Sequence, residues 1–231
     1  MLHTWDLDIP AAKALQTELA AKVRLEPLRR MPKIVAGADI AFDKPNGRLF
    51  AAAVAYRLDP LEMIADVAVC RPIPFPYVPG YLSFREAPAI LAAIAALDVT
   101  PDAVLIDGQG IAHPRRLGLA AHVGLWLNRP TVGCAKSRLI GEFEEPGSER
   151  GAASDLRDGD TRIGTVLRTR LDVRPLFISP GHLVDFEGTV QLTLRCGAGY
   201  RLPEPTRQAD RLAALAKRGA MARGSGSLLQ P

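Results

Sequence analysis

The sequence predicts an α/β protein with a central mixed β-sheet and helices on both of its faces. A meander of short strands in the first part of the chain is followed by alternating strands and helices. One of these strands, Ala103 to Ile106, is a continuous apolar run, which is typical of a strand covered on both faces. The 231 residues are 48% hydrophobic and 23% charged, a balance that suits one globular domain with its own core.

The chain begins with a helix and three strands. Leu15, Leu19 and Val23 recur at helical spacing and predict an amphipathic helix over Ile9 to Val23. Runs rich in valine, isoleucine and alanine then predict strands over Lys33 to Phe42, Arg48 to Tyr56 and Glu62 to Cys70. The Pro-Asn-Gly sequence at 45–47 is turn chemistry, so these strands are expected to pair as an antiparallel meander.

A stiff loop leads into the next helix. Prolines at positions 72, 74, 76 and 79 exclude regular structure there. Since proline is favoured at a first helical position, Pro88 predicts a helix that begins near Ala87. Its apolar face comprises Ile90, Leu91, Ile94 and Leu97.

The second half of the chain predicts a βαβ unit and a final pair of helices. The unit consists of the strand Ala103 to Ile106, a helix over Leu117 to Leu127 and a strand over Thr131 to Ala135. Residues 141–160 lack periodicity and predict a mobile or functional loop. The remaining elements are strands over Arg162 to Thr169 and Pro175 to Ser179, and helices over His182 to Leu194 and Pro205 to Arg218. Residues 1–218 are thus one domain, and 219–231 are expected to be a disordered tail.

Composition excludes several classes. The three cysteines are widely spaced and set in apolar sequence, which excludes a disulfide framework and a CxxC zinc site. Residues 1–10 carry acids and no apolar stretch, and no run of eighteen apolar residues occurs, so neither a signal peptide nor a membrane span is expected. A cytoplasmic protein is predicted, and the formal net charge of +4 is a weak indication of polyanionic partners.

Three carboxylates are candidates for the functional site that an α/β sheet of this class usually carries at its strand ends. Strand alternation places Asp39 in the middle of its strand. There it is either solvent-facing or buried, and a buried carboxylate must be paired or hold a metal. Asp107 ends an apolar strand, the position that faces a cleft, although it could be an Asx-turn residue. Glu86 could close a capping box with Ser83, but Pro88 would then fall inside the helix, which favours a free Glu86.

Carboxylates without a histidine or cysteine cluster are ligands for Mg²⁺ or Mn²⁺ rather than zinc. Such a site suits metal-assisted phosphodiester hydrolysis. A rival interpretation is that Gly108-Gln109-Gly110 opens a dinucleotide fingerprint, but position 113 holds His113 where a third glycine is required. No nucleotide cofactor is therefore expected.

Two long segments carry a family signature: PYVPGYLSFRE at 76–86, and Asp107-Gly108 followed by GIAHPR at 110–115. They resemble the endonuclease V family, the deoxyinosine-specific repair nucleases. The resemblance continues through 37–42, 131–137, 179–182 and 203–207, so it covers nearly the whole chain. It implies an RNase H-like fold and cleavage of the second phosphodiester bond 3′ to hypoxanthine, leaving 3′-hydroxyl and 5′-phosphate ends.

The resemblance also implies roles for individual residues. Asp39 and Asp107 would bind Mg²⁺, for which Mn²⁺ can substitute, and Glu86 would complete the acidic site. Lys136 would stabilise charge on the scissile phosphate, and Asp210 occupies the place where many members have an Asp or His on the last helix. The alternative interpretations are that Lys136 is a plain surface lysine and that Asp210 is an exposed charge on the helix.

The substrate contacts follow the same resemblance. Pro76, Tyr77, Val78 and Pro79 would form the wedge that separates the strands, although Tyr77 could be ordinary core packing. The lesion pocket would be lined by Gly80, Leu82, Gly108, Gly110 and His113, the last as a positioning group rather than a general base. Many members have histidine where this chain has Gln109, which puts a local hydrogen bond in doubt.

The predicted partner is DNA that contains deoxyinosine or another deaminated or mismatched base, bound by a monomer. Basic residues near the last helix could contact backbone phosphates or simply be solvated; they are Arg201, Arg207, Arg211, Lys217 and Arg218. Two alternatives stay open: an inosine-specific ribonuclease or mismatch nuclease on the same fold, and a module that binds the lesion without cleaving.

Overall fold

The computed structural model describes residues 2–222, which form five helices and eight strands. The helices are α1 (Ile9–Ala20), α2 (Leu82–Ala95), α3 (Leu119–Leu127), α4 (Phe186–Arg195) and α5 (Glu204–Ala222). The strands are β1 (Ile34–Asp43), β2 (Arg48–Leu58), β3 (Leu61–Pro72), β4 (Ala103–Ile106), β5 (Thr131–Ala135), β6 (Ala153–Asp158), β7 (Thr161–Leu167) and β8 (Leu176–His182).

All eight strands belong to one mixed sheet in the order β3-β2-β1-β4-β5-β8-β7-β6. The central strands β1, β4 and β5 are parallel neighbours, and every other neighbouring pair is antiparallel. The predicted meander and the βαβ unit are both present. The predicted α/β class with a mixed sheet is confirmed.

Strand alternation separates two apolar layers. Ala36 and Ala38 of β1 pack with residues of α2 and α3 on one face of the sheet. Val35, from the same strand, packs with β4, β5, β8 and α4 on the other. Helix α5 also crosses that second face, where Ala209 packs against β2. Helices therefore cover both faces of the sheet. The candidate site lies at the edge where the parallel strands end.

The start of α2 was predicted wrongly. The helix begins at Leu82, not near Ala87, and Pro88 lies inside it. A proline within a helix removes one backbone hydrogen bond and costs about 3 kcal/mol. Burial of Ala87 and Ile90 against the sheet, and of Phe84 against α1 and the proline-rich loop, offsets this cost.

The second half of the chain required two further corrections. The predicted loop over 141–160 contains β6, an edge strand in which only Leu156 is buried. The helix predicted from His182 begins at Phe186 instead, because residues through His182 belong to β8 and Asp185 caps the helix by accepting from the Gly188 amide at 2.7 Å.

The last helix continues to Ala222, past the boundary predicted at 218. Residues 223–231 of the predicted disordered tail lie outside the described residues. Among residues 2–222, the structure contains no helix with the length and apolar character that crossing a membrane requires.

Candidate active site

Three parallel strands bring an acid, a second acid and a lysine to one edge of the sheet. Asp39 lies within β1, Asp107 directly follows β4, and Lys136 directly follows β5. β4 is hydrogen-bonded to both of the other strands, and the Asp107 amide donates to the Ala38 carbonyl at 3.3 Å. The three side chains therefore lie together, as the rule for strand ends in α/β sheets predicts.

The Lys136 ammonium lies between two carboxylates. Its Nζ is 2.5 Å from Oδ2 of Asp107 and 3.9 Å from Oδ1 of Asp210 on α5. Asp210 is also close enough to the side chain of Asp39 to raise the pKa of that carboxyl. α5 comes this close to β1 because residue 37 is glycine: a Cβ there would lie 2.0 Å from the Pro205 carbonyl carbon.

Two of the acids hold their protons more tightly than usual. Burial, and then the charge of Asp107, raises the pKa of Asp39 to about 8. Burial also raises the pKa of Glu86 to about 8, with Arg85 lowering it and Asp107 raising it. Burial lowers the pKa of Lys136, but the hydrogen bond to Asp107 and the charges of Asp107, Asp39 and Asp210 together outweigh that effect, so the net shift is upward. The site thus gathers more acids than cations, and the charged forms of Asp39 and Glu86 are disfavoured.

Glu86 reaches the site from the opposite face of the sheet to Asp210. It lies in the first part of α2 and is 8% exposed. The capping box with Ser83 does not form, because Tyr81 is the N-cap residue and Ser83 Oγ instead bonds Nδ1 of His122 at 3.1 Å. Glu86 is therefore not used as a helix cap.

A divalent cation fits the donors at this edge. Within residues 2–222, no three His, Cys, Asp or Glu side chains form a ready-made set of ligands. Mg²⁺ commonly binds through one or two carboxylates and completes its shell with water and substrate phosphates. The carboxylates of Asp39 and Asp107, the latter 17% exposed, match that pattern and offer neither nitrogen nor sulfur to zinc.

The proline-rich loop presents Tyr77 to solvent. The side chain is 74% exposed, so it is not core packing. Pro76 and Pro79 are exposed as well, and Val78 is half-buried. Phe75, immediately before them, is buried. The four residues predicted as a wedge therefore form an exposed tip on a buried base.

The residues predicted to line the lesion pocket differ in their surroundings. Leu82 is 39% exposed, and Gly80 and Gly108 have φ of +81° and +152°. Gly110 is buried, and a Cβ on it would lie 2.0 Å from the Pro180 carbonyl oxygen. The close approach at Gly110 is thus to the protein's own β8, and the predicted contact of this glycine with a base stays a prediction.

His113 is neutral at pH 7. Burial, and then the Arg115 guanidinium, lowers its pKa to about 4. Its Nδ1 accepts a hydrogen bond from the Arg115 amide at 3.2 Å. A neutral, internally bonded imidazole fits the predicted positioning role.

Gln109, the departure from the family pattern, joins the turns after β4 and β5. Its Nε2 donates to the Ser137 carbonyl at 3.1 Å, while its Oε1 is buried without a hydrogen-bond partner among residues 2–222. The glutamine therefore links the segment that carries Asp107 to the one that carries Lys136.

The basic residues divide into two groups. Arg201 donates to the carbonyls of Lys136 and Pro175 at 2.7 and 2.8 Å, and Arg207 is paired with Glu204 at 2.7 Å. Both guanidinium groups are engaged within the protein, which weakens the prediction that they contact phosphate. The residues left for that role are Arg211, Lys217 and Arg218, of which the two arginines are exposed.

Sequence reasoning missed Gln16 and Arg115. Gln16 is fully buried on α1 and bonds two loops of the site. Its signal was weak but present: it lies four residues after Ala12 and three before Leu19, both buried on the same face.

Comparison with known proteins identifies the family. The Endonuclease V family model matches residues 17–211. The chain belongs to this family. An Endonuclease V from Alkalilimnicola ehrlichii is 48% identical over 213 residues, covering 92% of this chain and 94% of the relative. The protein is therefore an enzyme that acts on nucleic acids.

Two solved Endonuclease V structures are similar to this chain over most of its length. The structure from Streptomyces avermitilis has a TM-score of 0.90 at 40% identity and covers 94% of this chain and 96% of its own. The one from Ciona intestinalis has a TM-score of 0.80 at 24% identity and covers 91% and 98%. The Ciona Endonuclease V was crystallised with a 24mer DNA that contains an inosine followed by a ribo-adenosine.

Proposed function

We propose that this chain is a Mg²⁺-dependent repair endonuclease that cleaves the second phosphodiester bond 3′ to deoxyinosine, leaving 3′-hydroxyl and 5′-phosphate ends. The observation that carries the proposal is the placement of Asp39, Asp107 and Asp210 around the Lys136 ammonium. A protein that only bound a polyanion would gain nothing from carboxylates at the phosphate.

The residues have distinct tasks in this reaction. Asp39 and Asp107 would hold the metal, with Glu86 as a further acid beside them. A bound Mg²⁺ supplies an activated water and neutralises charge on the phosphate. Lys136 Nζ donates to a non-bridging phosphate oxygen as charge develops, which is worth most at a partly dehydrated edge.

Substrate choice depends on the exposed tip at 76–79. Tyr77 can stack in the place of the displaced base, while its flanking prolines keep the loop stiff. A mismatched or damaged base costs less to turn out of the duplex than a paired one. The inosine-containing DNA bound by the Ciona protein agrees with this class of substrate. We further propose a cytoplasmic enzyme that acts as a monomer.

Single-turnover cleavage of an end-labelled duplex with one deoxyinosine tests the proposal. The expected product is one nick at the second bond 3′ to the lesion in Mg²⁺ or Mn²⁺ and none with chelator. A matched riboinosine strand reports the 2′-hydroxyl preference. Tight, Mg²⁺-indifferent binding without a nick would overturn the proposal in favour of a binding module, and faster cutting of riboinosine would make the chain a ribonuclease.

A further inference from the structure

A buried amide on α1 connects two loops of the candidate active site. Gln16 is 0% exposed. Its Nε2 donates to the carbonyl oxygens of Gly80 at 3.0 Å and Leu117 at 2.9 Å, and its Oε1 accepts from Nε of Arg115. Burying an amide costs free energy unless it is hydrogen-bonded, and here both donor hydrogens and the oxygen are used.

Arg115 reinforces the same connection. Its Nη2 donates to the Gly80 carbonyl at 2.7 Å, and its guanidinium carbon lies 4.4 Å from the centroid of the Tyr81 ring. The Gly80 carbonyl thus accepts from both side chains. A Cβ at position 80 would lie 2.8 Å from Nη2 of Arg115, and the φ angle of Gly80 is +81°. Glycine is therefore the residue that suits this position.

The other end of the exposed tip is also anchored. The carbonyl of the buried Phe75 accepts from Nη1 of Arg85 at 3.0 Å. Arg85 in turn lies 4.8 Å over the ring of Phe42 in β1. The exposed tip at 76–79 is therefore held on one side by Arg85 and on the other by Gln16 and Arg115.

We propose that Gln16 and Arg115 are positioning residues that hold the strand-separating tip in the geometry needed to open a duplex. The inference rests on the proposed function, because that function has the tip at 76–79 separate the strands of double-stranded DNA. A loop that is ordered before binding loses little conformational entropy when it inserts. Without the two side chains, part of the free energy of DNA binding would be used to order the loop. Less of it would then be available to turn the base out of the duplex.

The test compares Gln16→Met with the wild-type protein on two substrates, a deoxyinosine duplex and the same deoxyinosine strand alone. Methionine keeps the length of the side chain and removes its hydrogen bonds. The duplex rate is expected to fall on the order of tenfold or more, the scale of a misplaced positioning group. The single-strand rate should change much less, because no duplex has to be opened.

Two further measurements separate positioning from general damage. Gln191→Met makes the same change at an exposed site on α4 and should alter neither rate. A 2-aminopurine next to the deoxyinosine, measured in chelator, should show less unstacking with Gln16→Met than with the wild-type protein. Arg115→Lys keeps the charge but loses the fork-shaped contact, and it should show the same duplex-selective loss if Gln16→Met does not fold.

Three outcomes are decisive. Selective loss on the duplex, with less unstacking, supports the positioning role. Equal losses on both substrates, or no loss in either variant, overturn it while the proposed function stands. Absence of any deoxyinosine nick by the wild-type protein overturns the proposed function first and removes the basis for this inference.

Discussion

Helix α2 carries two buried polar side chains one turn apart that meet opposite surroundings. Ser83 bonds His122 at 3.1 Å, and Nε2 of His122 lies 2.8 Å from Nε2 of His3, so these three residues form a neutral cluster. Burial, and then the neighbouring His3, lowers the pKa of His122 to about 3. Burial raises the pKa of Glu86 to about 8, and the charge of Asp107 contributes to that rise.

The comparison distinguishes polar side chains whose burial stabilises the fold from polar side chains whose burial serves catalysis. In the neutral cluster the polar atoms are paired with one another and surrounded by aromatic rings, including Trp5 and Phe84. The charged cluster gathers four acids and one ammonium, and the raised pKa values of two of these acids show that their charged forms are disfavoured there. Its members are Asp39, Glu86, Asp107, Lys136 and Asp210. Such strain is typical of sites selected for function rather than stability.

The largest expected effect is the loss of cleavage on changing the acid at the centre of the charged cluster. Asp107→Ala should reduce single-turnover cleavage on the order of a thousandfold or more, the scale seen when one member of a catalytic group is removed. Circular dichroism and binding of deoxyinosine DNA should stay near the wild-type values. Asp98→Ala, at an exposed site, is the matched control. Undiminished cleavage by Asp107→Ala would contradict its catalytic role.

Lys136→Met should lower the cleavage rate by about a hundredfold, as for other groups that stabilise developing charge. The Kd for DNA should change less, because the ammonium is needed most as charge develops. The same substitution at the exposed Lys33 should leave the rate unchanged. Equal losses in binding and in rate would instead make Lys136 a simple phosphate contact.

The neutral cluster predicts the opposite pattern. His122→Ala should lower the free energy of unfolding by about 2 to 4 kcal/mol, through a buried cavity and the lost partners of Ser83 and His3. Cleavage at 25 °C should be retained, since the hydrogen bonds of His122 go to Ser83 and His3 and not to a member of the charged cluster. Chemical denaturation and single-turnover rates on the same preparation measure both. A large loss of activity in protein that is still folded would break the comparison.

The same variant sharpens the comparison through pH. Because the pKa of His122 is lowered from 6.5 to about 3, the native state excludes a proton that the unfolded chain binds. This term is absent well above pH 6.5 and destabilises the fold progressively as the pH falls towards 3. The destabilisation caused by His122→Ala should therefore be smaller at pH 5 than at pH 7.5, by about 2 kcal/mol. A difference that does not depend on pH would show that His122 titrates normally.

What could be predicted from the sequence was local. The meander, the apolar strand β4 and the acids at strand ends follow from periodicity and from the geometry of parallel sheets. The effect of Asp210 on the pKa of Asp39 could not be predicted from spacing, because it depends on how α5 docks over Gly37. The resemblance to the family placed Asp210 at the site; the residues alone left it as a helix charge.

Three other features were beyond the sequence for physical reasons. Pro88 indicated a helix start locally, and only the burial of the α2 face overrides it. β6 is polar because it lies at the edge of the sheet, so it shows no periodicity. Gln16 is indistinguishable from a solvated helix residue until its three partners, from two distant segments of the chain, are in place.

The most direct test of the central claim is one variant, Asp39→Asn, measured for both stability and cleavage. Since the pKa of Asp39 is raised from 3.8 to about 8, charging it costs stability as the pH rises through that range. At pH 8 in chelator, the variant should be more stable than the wild-type protein by about 1 to 3 kcal/mol, with Asp98→Asn as the exposed control. In Mg²⁺ its cleavage should fall on the order of a thousandfold. Retained cleavage, or lower stability together with lost cleavage, would contradict the claim that the charged cluster is held together for catalysis.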